Sequence, residues 1–223
     1  MKKKRIFLLS SICAICLIVI GVVSVGQNFQ KQEVFIDGII ASKTENELIL
    51  DSDLIVKGQV KEIMKSRWSN EGLVRGADIR NILQTDIVVL VDEVIEGSLN
   101  QKEVRVRINK GEDAKTIVHS DGYPDFVIGE KVLLFLARDD SDVKTNEDYY
   151  VLTGLRQGKY TLKDTSGTTV EKTGVYVNDK GEINVENLKK NIVDVKSANP
   201  NYEAEKVAKK QEIRKNNIDN TLL

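Results

Sequence analysis

The stretch GEKVLLFLARD, Gly129 to Asp139, constrains the fold most. A turn glycine leads into an apolar run, Val132 to Ala137, bracketed by Lys131 and Arg138. So short a run, with no polar alternation, suits a strand buried on both faces. Periodicity alone does not separate it from a segment of buried helix. The extended segments around it have the lengths and patterns to pair with it. It is therefore the expected central strand of a small, strongly curved β domain, with Tyr149, Tyr150 and Tyr160 adding aromatic surface downstream.

Those segments follow in order. In Asp51 to Trp68, the residues Leu54, Val56 and Val60 share one parity and Gly58 marks a bulge or sharp bend. A strand bent at its centre can serve two sheets, which is how small barrels turn corners. A second strand spans Thr85 to about Val94, and Glu96-Gly97 signals the turn. EVRVRI, Glu103 to Ile108, alternates: Val104, Val106 and Ile108 point one way, Glu103, Arg105 and Arg107 the other, predicting one wet face. Lys110 to Asp125 is a long excursion that holds the lone histidine, His119, expected on a surface loop. After an acidic loop, Asp139 to Asp148, the segments Tyr149 to Gly154 and Gly158 to Asp164 predict a hairpin. Short extended pieces continue, with turns at Gly174 and at Asp179 to Gly181.

Helices flank this β region. Thr44 with Glu47 three residues later is a capping box for a short helix to Asp51. Asn184 caps a predicted helix to about Ser197, with Leu188, Ile192 and Val195 on one face. Asn201 to Leu223 is polar, either a marginal surface helix or largely disordered.

The N-terminus is of another kind. Lys2, Lys3, Lys4 and Arg5 precede Ile6 to Val25, 20 uncharged residues. As a helix these span about 30 Å, the thickness of a bilayer's hydrocarbon core. The basic cluster holds the N-terminus inside and sends the rest of the chain across. The run exceeds the usual apolar region of a signal peptide, which favours a single-pass anchor in the cell membrane with the C-terminal domain outside. Ser24-Val25-Gly26 nevertheless offers a cleavage site near Gly26, so secretion stands as the alternative. The expected divisions are residues 1–26, an anchor or signal peptide; 27–50, a juxtamembrane spacer and short helix; 51–183, an OB-like β-barrel with following hairpins; and 184–223, a C-terminal helix and charged tail. The fold class is thus mainly β, a five-stranded OB-like barrel with an N-terminal transmembrane helix and C-terminal helices.

The barrel reading draws on four stretches: SDLIVKGQV (Ser52 to Val60), VDEVIEG (Val91 to Gly97), GEKVLLFL (Gly129 to Leu136) and GKY (Gly158 to Tyr160). Their order resembles that of bacterial exported proteins with a netrin-like OB-fold domain, similar to the N-terminal domain of tissue inhibitors of metalloproteinases. The resemblance covers about Asp51 to Asp164 and describes a scaffold. In the animal inhibitors an N-terminal cysteine clamps the protease metal. Here both cysteines, Cys13 and Cys16, lie within the apolar N-terminal run, so that role carries over to no residue.

No catalytic constellation stands out. His119 has Ser120 and Asp121 beside it, but adjacent residues rarely meet in triad geometry. No cofactor or metal is expected. The acidic loop 139–148 has Lys144 where a calcium ligand is wanted and no turn glycine. YVNDKGEINVENL is better read as a hairpin turn and helix cap. Without the four N-terminal cations, 29 basic residues face 34 acidic ones, which argues against nucleic acid. The expectation is a non-enzymatic, membrane-anchored extracytoplasmic module that binds a protein or cell-envelope component. Trp68, Arg105 and Arg107 are the candidate partner contacts. A protease inhibitor acting through the Ser69–Arg80 loop is the alternative, and a hydrolase with a Ser–Lys or carboxylate site the second.

Overall fold

The computed structural model describes residues 31–70, 81–139, 147–162, 174–208 and residue 211. Five strands close into a barrel: β2 (Leu54–Ile63), β4 (Leu83–Glu96), β5 (Glu103–Ile108), β8 (Lys131–Arg138) and β9 (Tyr150–Leu152). Around the barrel, β2 pairs with β4, β4 with β5, β5 with β9, β9 with β8, and β8 again with β2. The β5–β9 pairing is parallel and the others are antiparallel. This is the strand order of an OB fold, and closure leaves the barrel without an open edge.

The central strand is buried on both faces, as its composition predicts. Val132, Leu134 and Leu136 join Leu54, Val56 and Val60 in the barrel interior. Leu133 and Phe135 point outward into a second apolar cluster with Ile55 and Tyr160. Two elements cover that outer face: α1 (Glu45–Asp51) and α2 (Val185–Ala198), which touch each other. Both begin where their caps predict. Thr44 and Glu47 form the full capping box, and the Asn184 side chain accepts from the Glu186 and Asn187 backbone N–H groups. Residues 202–208 are also helical, and Tyr202 and Lys206 both bond to Asp51.

Gly58 carries the bend in β2. The register against β4 shifts beside it, and a Cβ there would lie 2.3 Å from the Leu90 carbonyl oxygen. No other residue fits so close a backbone approach.

Several expectations need correction. The segments 149–154 and 158–164 do not form a hairpin. Strand β9 and β10 (Lys159–Leu162) lie one after the other along the same side of β8. Gly154, at φ +67°, starts a 3-10 turn (Leu155–Gly158) that shifts the chain along β8 instead of folding it back. The β10 strand continues the sheet into β11 (Val175–Asn178) and β12 (Gly181–Asn184), a hairpin whose turn is closed by the Asn178 side chain. That segment is the hairpin and helix cap expected of YVNDKGEINVENL.

The 110–125 excursion is not simply a loop either. It contains β6 (Gly111–Glu112) and β7 (Thr116–Ser120), and β7 pairs in parallel with β1 (Gln32–Ile36). The segment 27–50, expected as a spacer and short helix, therefore also contains a strand ahead of its helix. His119 sits on β7, stacked on Phe35 with ring centres 4.6 Å apart. On the sheet's other face, Val34 and Val118 pack with Trp68 and Leu83. The apolar run 6–25 lies outside the described residues, and among those no helix is long and apolar enough to cross a membrane.

Candidate functional site

On the β4–β5 wall, inward residues fill the barrel and outward residues form cross-strand pairs. Asp86 faces Arg107, Val88 faces Arg105, and Leu90 faces Glu103. In an OB fold, this face and the loops after the first and fourth barrel strands commonly bind ligands. Here those loops follow β2 and β8, and each sends charge onto the wall.

Arg107 is the corrected residue. It was expected on an exposed stripe with Arg105, but it is 3% exposed. Its Nε and Nη2 donate to the two Asp86 oxygens at 2.7 and 2.9 Å, and Nη2 also donates to Glu147 at 2.5 Å. The guanidinium lies 3.7 Å from the centre of the Tyr149 ring. Arg67, on β3 (Arg67–Trp68), donates to Glu147 and stands 3.6 Å from Asp86. Burial alone would lower the Arg107 pKa, but its bonds to both carboxylates outweigh that and raise it above the ordinary value. Glu147 is held down at about 2, chiefly by the Arg67 hydrogen bond, against desolvation and with help from Arg107. The sequence implies acidic neighbours for Arg105 and Arg107 but does not identify them as Asp86 and Glu147; Glu147 reads there as one of the possible oxygens of the acidic loop. The available signal is Asp86 itself, the one acid within the otherwise uncharged stretch 82–91.

Arg105 is left over. It is partly exposed, and its ion pair among the described residues is long, 3.9 Å to an Asp86 already held bidentately by Arg107. Across this group, three guanidiniums share two carboxylates. Arg105 also lines a polar cleft of about 460 Å³ with Arg138, Ser98, Asn100, Gln101 and Glu103. Arg138 is paired with Asp148 and stacks 4.1 Å above Tyr150, and Glu103 accepts from Lys61. Of the residues around the cleft, Arg105 is the cation with the weakest partner.

Trp68 lies elsewhere and is largely buried. Its Nε1 donates to Asp113 at 2.9 Å, and its ring packs with Leu83, Val118 and Val34 in a cluster apart from the barrel core. Of the three expected contacts, Trp68, Arg105 and Arg107, the structure leaves Arg105 on the accessible wall.

A second cleft, about 470 Å³, lies between the barrel end and the β1–β7–β6 sheet. Ile63, Met64 and Phe126 line it, and its Lys110 is paired with Asp125. Among the described residues, no group of three or more His, Cys, Asp or Glu is placed to hold a metal ion. Glu147 and Asp148, at the end of the acidic loop, are taken up by Arg67, Arg107 and Arg138; residues 140–146 of that loop, and 71–80 of the candidate inhibitory loop, lie outside the described residues. No family model matches the chain, and no curated protein matches it either.

Proposed function

We propose that this chain is a non-enzymatic extracytoplasmic binding module, tethered to the membrane through residues 6–25, that recognises a protein or cell-envelope component. The observation that carries the reading is the β4–β5 wall. Its inner face completes an apolar core, while its outer face gathers arginines at the place where OB barrels commonly receive ligands. The OB strand order also supports the netrin-like resemblance as a scaffold, and a scaffold does not by itself supply a function. The basic N-terminal cluster and the apolar run support the tether and its orientation.

The test is chemical crosslinking of the full-length protein in its own cells, with identification of the adducts. One recurrent partner that disappears with Arg105→Glu is the expected result. Adducts that ignore Arg105→Glu would move the surface elsewhere, and turnover of a substrate by the purified protein would replace the reading with an enzyme.

A further inference from the structure

The way this wall satisfies its own arginines indicates what it would bind. Arg67 and Arg107 are met by Glu147, Arg107 also by Asp86, and Arg138 by Asp148. All of these partners are carboxylates on peptide side chains. Arg105 is the same kind of group on the same face, and among the described residues its ion pair is a long contact to a shared acid. Beside it, Ser98, Asn100 and Gln101 are exposed at the rim, and Val88 and Leu99 offer partly buried aliphatic surface.

We propose that this cleft binds an extended acidic segment of a protein partner, one carboxylate pairing with Arg105 and the flanking aliphatic side chains resting on Val88 and Leu99. The proposal rests on the binding-module reading above and adds the chemistry of the ligand. A guanidinium matches a carboxylate in a bidentate fork, and the neighbouring amides and hydroxyl can bond an extended backbone. A sugar chain fits less well. Sugar rings pack on open aromatic faces, whereas Tyr150, the aromatic in the cleft, is buried and covered by the Arg138 guanidinium. The net acidity of the body disfavours diffuse attraction of any polyanion, so binding here must come from the local arrangement.

The experiment uses the full-length chain in a mild detergent and reads fluorescence anisotropy. Its probes are a short labelled peptide of alternating Glu and Val, its Gln–Val counterpart, and a labelled oligogalacturonate as an acidic glycan. The Glu–Val peptide should bind and the Gln–Val peptide should not. Arg105→Gln should weaken binding by about tenfold or more. Arg156→Gln, which removes a cation paired with Asp179 and not part of the cleft lining, should leave it unchanged. Thermal unfolding of Arg105→Gln should match the parent, because Arg105 is partly exposed and weakly paired.

Equal binding of both peptides, binding indifferent to Arg105→Gln, or preference for the oligogalacturonate would each overturn the proposal. Failure of every probe, with an Arg105-dependent partner still found in cells, would overturn the ligand chemistry and leave the binding module standing. Failure of both would remove the two together.

Discussion

The barrel has two walls that solve the same problem differently. On the β2–β8 wall one face fills the barrel, and the other carries the apolar cluster of Ile55, Leu133 and Phe135 under α1 and α2, with Lys57 paired to Glu93 at its edge. On the β4–β5 wall the inner face is equally apolar, but the outer face carries Asp86, Arg105 and Arg107, partly covered by Glu147 from the loop after β8. An apolar cover is non-directional, tolerates many shapes and leaves no group unsatisfied. A charged cover requires each desolvated group to find a partner in good geometry. The first wall is closed on itself. Among the described residues the second has one guanidinium more than its carboxylates, the feature on which the proposed recognition rests.

The largest effect should come from the apolar wall. Phe135→Ala empties a fully buried site, and should cost about 3–5 kcal/mol in chemical denaturation. Val88→Ala on the outer face of the other wall should cost under about 1 kcal/mol, since that side chain is only half-buried. Similar losses for the two would erase the distinction between the walls.

Next comes the buried charge. Arg107→Ala removes both short hydrogen bonds to the buried Asp86, leaves it the longer contacts with Arg67 and Arg105, and should destabilise by about 3 kcal/mol. The double replacement Arg107→Met with Asp86→Leu should recover most of that loss, because it removes both charges and keeps the volume. If the double variant were no better than the single, the network would be contributing more than mutual neutralisation.

A smaller effect separates the walls by pH. The folded-state value of Glu147, about 2, lies below its ordinary 4.5. Its contribution is therefore present above about 4.5 and drains away as pH falls toward 2. Glu147→Gln should flatten the acid side of the stability profile in that window, with only a modest change at neutral pH, because the side chain is 34% exposed. An unchanged acid limb would mean that the arginine contacts do not form in solution.

What was legible in the chain follows the same division. The apolar wall could be read because its signals are local: the uninterrupted run Val132 to Ala137, the shared parity of Leu54, Val56 and Val60, and the caps at Thr44 and Asn184. The charged wall was read only in part. Alternation in EVRVRI correctly separates the two faces, but it cannot say that Glu147, forty residues further on, returns to cover Arg107. The parallel pairing of β1 with β7 was hidden for the same reason, since its partners are far apart in sequence. Glycines at both ends of 154–158 look like hairpin punctuation; the left-handed Gly154 and the turn after it, which shift β10 along β8, are a tertiary choice.

The smallest expected effect on stability falls on the residue that the proposed recognition depends on. Arg105→Gln should change unfolding by less than about 0.5 kcal/mol, as for most exposed substitutions. A large loss would show that Arg105 is a structural member of the Asp86 network, and would leave the wall without its spare cation.

The most direct test of the contrast between the walls places a photocrosslinking amino acid at one exposed position on each side of the full-length protein in cells. Gln101, at the rim of the Arg105 cleft, reports on the charged wall, and Val193, 64% exposed on α2, reports on the cover of the apolar wall. A discrete protein adduct from Gln101, with none from Val193, is the predicted result. The same adduct from both positions, or one from Val193 alone, would contradict the assignment of recognition to the β4–β5 wall.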